Sequence, residues 1–341
     1  MEYRRLGKTE LKVSFLGFGG IPVQRVSAEA AAATIRAGLE LGVNFIDAAR
    51  AYTDSEEKIG RALGGVPRDS YILASKTLVR TGEAMQRDID LSLKYLNTDY
   101  IDLYQCHNVR FDKDEEELFA PGGGLEALFA AKKAGKIRHI GITGHQVERL
   151  TRLLKTDLFE TVQVPYNVNE PAPEKELLPL ARQKDLGILC MKPLGGGALP
   201  PDLALRFFLD KEVSSFIPGV ESPEQMRQNL YTVTNGQALN GEEQKEAEEF
   251  CRRLGKSYCR RCDYCQPCPQ GIDISGMFIF QAYFRRYDMK DWAWARYAAC
   301  GIKPEACVEC GRCESRCPYE LPIRRMLKEV KSDMEGYRKI Q

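Results

Sequence analysis

Two runs of cysteine near the C-terminus carry the most specific chemistry in the sequence. The first is Cys259, Cys262, Cys265 and Cys268, with two residues between neighbours and Pro269 after the last. The second is Cys307, Cys310, Cys313 and Cys317, again closed by a proline, Pro318. Three thiolates spaced at i, i+3 and i+6 can each hold one corner of a four-iron cube, and the Cys-Pro cysteine of such a run serves the cluster of the other run. The ligand sets this predicts are Cys259, Cys262 and Cys265 with Cys317, and Cys307, Cys310 and Cys313 with Cys268. Structural zinc is the competing reading, but it favours paired C-x2-C knuckles over triple runs. A disulfide framework needs an oxidising compartment, of which the sequence holds no sign. Cys251 and Cys300 stand outside the pattern and read as packing residues.

A second group lies far upstream. Three short apolar runs end on ionisable residues, at Asp47, Lys76 and His107, and Tyr52 follows Asp47 by five positions. Each alone has an ordinary explanation. A lysine ending a strand is commonly a solvated rim charge, a lone histidine a satisfied hydrogen-bonding residue, a tyrosine packing. On three consecutive strands of one sheet, however, they would meet at one rim.

The elements that must position them follow a regular alternation. Strands are expected at Val13–Gly17, Val43–Asp47, Tyr71–Lys76, Tyr100–His107, Arg138–Thr143, Thr161–Tyr166, Gly187–Lys192 and Ser215–Gly219. Helices lie between them. One spans Ala28 to Leu41 behind the N-cap Ser27, with Gly42 just past its end. Another spans Ser55 to Leu63, with Asp54 and Glu57 in capping-box spacing, and a third follows Ser222, Pro223 and Gln225. Eight strand–helix repeats point to an α/β fold with a parallel sheet and match the number that closes a (β/α)8 TIM barrel. A doubly wound open sheet is the alternative. Barrel enzymes place their chemistry where strands end at the C-terminal rim.

Over residues 3–230 the chain resembles the aldo-keto reductase superfamily. The resemblance is carried by Gly42-Val43-Asn44-Phe45-Ile46-Asp47-Ala48-Ala49-Arg50-Ala51-Tyr52, by Ser75-Lys76, and by Asp102-Leu103-Tyr104-Gln105-Cys106-His107. Gly135-Lys136-Ile137-Arg138-His139-Ile140-Gly141, Gln163 with Asn167, and Ile217-Pro218-Gly219 add to it. It implies a barrel that binds a nicotinamide nucleotide, NADP or NAD, and acts on a small-molecule carbonyl or alcohol. The implied catalytic tetrad is Asp47, Tyr52, Lys76 and His107. Physical chemistry supports those roles. Hydride delivery to a carbonyl leaves charge on its oxygen, so a placed proton donor lowers the barrier. A tyrosine of ordinary pKa, about 10, exchanges protons poorly at neutral pH, and a nearby ammonium favours its phenolate. That is the work expected of Lys76, held and balanced by Asp47, while His107 orients the carbonyl oxygen. His139 and His145 fall outside the family's catalytic position and read as structural.

The same resemblance implies nucleotide contacts at Gly19, Gly20, Thr143, Gln163, Met191, Pro193, Leu194, Gly195, Gly197, Gly219, Gln225 and Asn229. Gln163 and Asn229 match the family. Thr143 can replace its serine, but the asparagine that follows is absent, and Met191 stands where an aromatic ring stacks on the nicotinamide. The glycines from Gly195 to Gly197 let backbone amides approach a pyrophosphate. The family's cations for the 2′-phosphate become Gly219, Val220 and Gln225, with Glu221 and Glu224 nearby, so a preference for NADP is not expected.

Composition bounds the rest. The 341 residues hold 49 Lys and Arg against 48 Asp and Glu, a net charge of +1 that argues against a nucleic-acid binder. No apolar stretch approaches the roughly 20 residues needed for a membrane span, and the N-terminus lacks an apolar signal core, so a cytoplasmic protein is expected. From Cys251 onward, 18 basic residues face 11 acidic ones. The chain therefore divides into a reductase barrel at 1–235 and, at 236–341, a linker with a charged helix (231–257) followed by a small α-helical iron–sulfur domain. That second part resembles a bacterial two-cluster ferredoxin, whose C-x2-C-x2-C-x3-C-P run recurs here at Cys307 to Pro318, and implies two [4Fe-4S] clusters. The aromatic stretch Ile274 to Tyr297 reads as helices covering the clusters, and Ile323 to Tyr337 as a closing amphipathic helix. The function expected is an iron–sulfur aldo/keto reductase whose clusters pass electrons to or from a partner such as a ferredoxin or flavodoxin. The alternative is an electron-transfer protein, or a subunit of a redox complex, whose barrel is a docking platform. The acidic run Asp112 to Glu117 reads as a solvated helix start or as an edge of the substrate pocket.

Overall fold

Apolar strands and amphipathic helices alternate as the sequence pattern requires. In the computed structural model, which describes residues 1–254 and 258–338, they build an eight-stranded sheet in which each strand pairs parallel with the next. Its strands are β3 (Phe18–Gly19), β4 (Phe45–Asp47), β5 (Ile72–Thr77), β6 (Ile101–Cys106), β7 (Ile137–Thr143), β8 (Thr161–Pro165), β9 (Gly187–Met191) and β10 (Ser215–Ile217). Parallel bridges from Leu16 to Phe216 and from Gly19 to Gly219 join the first strand to the last and close the barrel. The closure is tight at Gly19, whose N–H donates to the Pro218 carbonyl at 2.9 Å and whose position would put a Cβ 2.8 Å from that oxygen.

The first strand differs from expectation. Lys12–Ser14 (β2) pairs antiparallel with Tyr3–Arg5 (β1) instead of entering the barrel, and Phe18–Gly19 takes the barrel position. The reason is burial. Leu6 and Val13, carried by this hairpin, pack among Phe45, Ile72, Ala74, Leu103, Leu189 and Ile217 inside the barrel. A fully buried aliphatic side chain is worth about 1.5–3 kcal/mol, so the hairpin is used to seal the barrel end where the strands begin. Side chains alternate along a strand. Two positions beyond Phe45, Ala74, Leu103 and Leu189, the interior layer is therefore Asp47, Lys76, Gln105 and Met191, joined by Thr143 and Gln163, which lie opposite each other on β7 and β8.

The surrounding helices are α1 (Ala28–Glu40), α2 (Ser55–Leu63), α3 (Gly82–Leu96), α4 (Asp112–Phe119), α5 (Gly124–Lys133), α6 (Val147–Leu154), α7 (Leu177–Gln183), α8 (Pro201–Arg206), α9 (Pro223–Asn235) and α10 (Gly241–Leu254). Ser27 and Ser222 cap α1 and α9 by accepting the N–H groups of Ala30 and Gln225. Asp54 makes no such bond. Its backbone is not extended, and its carboxylate pairs with Lys58 at 2.9 Å instead. The acidic run forms the start of α4, where Asp114 accepts the N–H groups of Arg110 and Phe111.

Two compact units are resolved, Met1–Phe250 and Cys251–Gln341. In the second, α11 (Ile274–Arg285), α12 (Lys290–Ala299) and α14 (Ile323–Arg338) surround a core that includes Met277, Phe278, Tyr297, Leu327, Val330 and Met334. A short α13 (Arg312–Ser315) interrupts the second cysteine run. The expected linker and charged helix appear as the end of α9 and α10, with 255–257 outside the described residues. Among the described residues no helix is long and apolar enough to cross a membrane.

Candidate active site and cluster cavities

The interior layer of the barrel brings the four expected residues together. Lys76 Nζ donates to Asp47 Oδ2 at 2.5 Å and to the Ala48 carbonyl at 2.8 Å. Both side chains are almost wholly buried, at 1 % and 3 % exposure. Burial pushes Lys76 below the ordinary lysine value and Asp47 above the ordinary carboxylate value, and their mutual attraction opposes both shifts. Gln105 donates to the other Asp47 oxygen at 3.4 Å, and Gln163 also hydrogen-bonds that carboxylate. Lys76 Nζ lies 5.0 Å from the centre of the Tyr52 ring, and the His107 ring stands edge-on to that ring at 5.9 Å and 90°. Burial, then the charges of Lys76 and Arg80, hold His107 well below its usual pKa. It is a neutral imidazole at physiological pH.

The loop that carries Tyr52 is clamped from outside the barrel. Ala48 and Arg50 extend the β4–β5 pairing through N–H bonds to the carbonyls of Ala74 and Lys76, at 2.8 and 3.0 Å. The Arg50 guanidinium pairs with Glu56, which is buried and accepts the Ser75 hydroxyl at 2.6 Å. Ser75 faces away from the interior because Lys76, its neighbour, faces in. Sequence reasoning missed Arg50, Glu56 and Ser75 as a unit. The available signal was that Glu56 lies at i, i+3, i+4 and i+7 spacing with Ile59, Gly60 and Leu63, the buried stripe of α2. Arg80 was also missed. It donates to the carbonyls of His107 and Asn108 at 2.7 and 3.1 Å and pairs with Asp114 at 3.5 Å.

The other histidines separate. His139 Nδ1 bonds Glu160 at 2.6 Å, and, against the burial that would raise it, bonds from His139, Lys132 and the Ile140 N–H hold Glu160 at about 2. His145 sits on the rim, with Nδ1 at 3.2 Å from Lys192 Nζ.

The nucleotide positions divide as well. Thr143 and Gln163 are buried beside each other in the same interior layer as the Asp47–Lys76 pair. Gln163 Oε1 has no hydrogen-bond partner, and the Thr143 hydroxyl accepts the Asn108 N–H while keeping its own proton to donate. One unmet acceptor and one available donor fit the amine and carbonyl of a carboxamide. Met191 ends β9 opposite Pro165 and beside Ile217. Beyond Lys192 and Pro193, the glycines at 195, 196 and 197 all take positive φ, but the amides of Gly195 and Gly197 are already bonded to the carbonyls of Lys192 and Leu194. Gly19 and Gly219 pair across the barrel seam. At the start of α9 the Gln225 side chain accepts the Glu221 N–H at 2.9 Å, and Asn229 is buried. Arg25 pairs with Glu221 and Arg227 with Glu224. The cations of this region therefore already face carboxylates, an arrangement that does not fit a 2′-phosphate.

In the second unit the eight paired cysteines line two small cavities. One is lined by Cys259, Cys262, Cys265 and Cys317. The other is lined by Cys307, Cys310, Cys313 and Cys268, with Cys265 also in its lining. Among the described residues no three Cys, His, Asp or Glu side chains converge on a single-ion position, whereas a cluster takes one thiolate at each corner. The donor set fits iron–sulfur clusters. Burial pushes the Cys262 thiol up to about 12 and raises Cys265 as well, so a positively charged iron core is what would keep them as thiolates. Arg261 N–H already points at Cys259 Sγ, 3.4 Å away. Cys300 donates to the Arg296 carbonyl and packs on the helical core, as a structural cysteine would.

Comparison with known proteins agrees with both halves. Residues 15–202 match the Aldo/keto reductase family, and residues 258–322 match a 4Fe-4S dicluster domain. The chain is 31% identical to L-galactose dehydrogenase of Arabidopsis thaliana over 300 residues, covering 73% of this chain and 93% of that one. It is 34% identical over 169 residues to methylglyoxal reductase YeaE of Escherichia coli strain K12, covering 48% and 57% of the two chains. Among solved structures it is similar to an aldo-keto reductase from Bacillus halodurans in its holo form, with a TM-score of 0.64, 26% identity, and coverage of 73% and 96%.

Proposed function

The chain belongs to the aldo/keto reductase family and is an oxidoreductase, and from that premise we propose that it reduces a small carbonyl compound to an alcohol, or runs the reverse, with NADH or NADPH. The observation that carries this reading is the buried Lys76–Asp47 pair beneath the Tyr52 ring. A buried ion pair is commonly no more stabilising than apolar residues of the same volume, so its retention inside a barrel core calls for a chemical use.

A bound nicotinamide would supply hydride. Thr143 and Gln163 would hold its carboxamide, and Met191 would pack against the ring. Tyr52 donates the proton to the carbonyl oxygen, and Lys76 favours the phenolate that remains. Asp47 fixes the Lys76 ammonium, and the neutral His107 orients the carbonyl oxygen by a hydrogen bond rather than as an acid. The Arg50–Glu56–Ser75 clamp holds the Tyr52 loop in register with β5.

The reading assigns this chemistry to residues 1–235 and two [4Fe-4S] clusters to 236–341, with Cys317 and Cys268 crossing between the runs. The arrangement of the cysteines around two cavities supports it. Clusters pass single electrons and hydride carries two. The clusters are therefore assigned to exchange with a separate carrier, a ferredoxin or flavodoxin. A reducing compartment, the cytoplasm, suits eight free thiolates.

The test is isotopic. With the reduced nucleotide carrying two deuteriums at C4, the alcohol formed from an aldehyde should carry deuterium on the former carbonyl carbon. Turnover that leaves the label entirely on the nucleotide would refute hydride transfer by the barrel.

A further inference from the structure

The two cluster cavities differ in how they meet solvent. The cavity of Cys259, Cys262, Cys265 and Cys317 is walled mostly by buried residues, Arg260, Asp263, Ser275, Phe278, Leu321 and Ile323, with Tyr264 and Tyr319 half-buried and none of its four cysteines exposed. The cavity of Cys307, Cys310, Cys313 and Cys268 is walled on one side by Val308, which is 62 % exposed, and Cys310 is itself exposed. Gly311, the next residue of that wall, has open space where a Cβ would stand. Val308 and Cys310 thus bring the second site to the surface, and Ile302, 46 % exposed, adds a second apolar side chain to the same stretch.

The stretch itself carries three cations and three carboxylates. Its carboxylates are paired with cations of α14, Glu309 with Lys328 at 2.6 Å, Glu314 with Arg324 at 2.6 Å and Glu305 with Lys331 at 3.9 Å, a lysine that also pairs with Glu335 at 3.7 Å. Among the described residues, Lys303, Arg312 and Arg316 form no ion pair. Arg316 instead donates to the carbonyls of Gln266 and Pro267, which leaves its charge uncompensated. Exposed apolar side chains in one stretch with three cations that form no ion pair, beside an exposed cluster cysteine, have the character of a transient docking surface for a partner of opposite charge.

We propose that the stretch from Ile302 to Arg316 is the docking surface for a small acidic ferredoxin, and that the cluster held by Cys307, Cys310, Cys313 and Cys268 is the one that exchanges electrons with it. This rests on the reading that both clusters form. The step is a single electron passing from reduced carrier to oxidised cluster. The carrier is oxidised by one electron and the cluster reduced by one, with no bond broken and no proton moved. The cluster of Cys259, Cys262, Cys265 and Cys317 exchanges only through the outer one.

The experiment uses the anaerobic full-length chain and an acidic [2Fe-2S] ferredoxin. Iron content and bleaching by dithionite are measured first for every protein. A wild type without iron overturns the cluster reading, and that assay reports it before any carrier is added. Stopped-flow mixing with reduced ferredoxin at low salt should give a rate that falls at least ~10-fold in Arg312→Glu/Arg316→Glu. The difference should close at about 1 M salt, where the Debye length is about 3 Å. Calorimetric affinity for oxidised ferredoxin should fall in parallel. If the double variant does not retain iron, Lys303→Glu, which lies outside both cysteine runs, provides the same comparison. Unchanged rate and affinity in an iron-loaded variant would overturn the proposal.

Discussion

Neutralising Asp47 tests the physical core of the site. In Asp47→Asn the Lys76 ammonium keeps the Ala48 carbonyl but loses its counter-charge 2.5 Å away, in a position with 1 % exposure. Breaking one side of a buried pair costs about 3–5 kcal/mol. Lys76→Met should cost a similar amount, because it strands the Asp47 carboxylate. In the double variant Asp47→Asn/Lys76→Met no charge remains. The Asn oxygen still accepts from Gln105 and Gln163, and Met matches the lysine stem in volume. Its cost should therefore be well below the sum of the singles, with a coupling of at least about 3 kcal/mol. The pH dependence has a definite sign. Burial already lowers Lys76 in the fold, and removing Asp47 lowers it further. The unfolded variant then holds the lysine proton up to a higher pH than the folded one, so its stability rises with pH as the folded lysine deprotonates, up to the ordinary lysine value near about 10.4. The deficit relative to wild type should accordingly shrink as pH rises above neutral. Urea unfolding of the barrel, followed by circular dichroism across pH 7–10 for all four proteins, measures both effects, and all three variants should be inactive. Additive costs within about 0.5 kcal/mol, or a deficit that grows with pH, would show that the pair is not the coupled charge site described.

Three further outcomes follow from the same structure. Glu56→Gln should lower kcat by roughly 10–100-fold through misplacement of the Tyr52 loop, with nucleotide affinity and KM nearly unchanged; a KM effect alone would mean that Glu56 does not act on Tyr52. Direct binding should show no preference for NADPH over NADH above ~100-fold, about 2.7 kcal/mol, because Arg25 and Arg227 already face Glu221 and Glu224. Paramagnetic resonance of reduced variants should show that Cys317→Ala damages the same cluster as Cys262→Ala, and Cys268→Ala the same one as Cys310→Ala; pairing within each run would contradict the cavities as lined.

The legible parts of the molecule were those where a local pattern reports a global constraint. Short apolar runs that end on ionisable residues placed Asp47 and Lys76 at strand ends, and cysteine spacing separated the two cysteine sets that line the cavities. The hairpin was not legible, because Val13 reads as a barrel strand by composition and only the demand to seal the barrel end moves it. Asp54 failed as a cap because its backbone is not extended and Lys58 takes its carboxylate. Glu56 was hidden because a glutamate in the first turn of a helix usually serves the helix dipole. Only its position on the buried stripe of α2 marks it otherwise. The occupied amides of the 195–197 turn likewise depend on φ values that a glycine run leaves open.

The most direct test of the catalytic assignment is single-turnover hydride transfer in Tyr52→Phe, with nucleotide affinity measured alongside. The hydroxyl is all that is removed, so NADH binding should match wild type while transfer to an aldehyde slows by ~10²–10⁴-fold, the usual worth of a positioned acid. Transfer at the wild-type rate with intact binding would contradict Tyr52 as the proton donor.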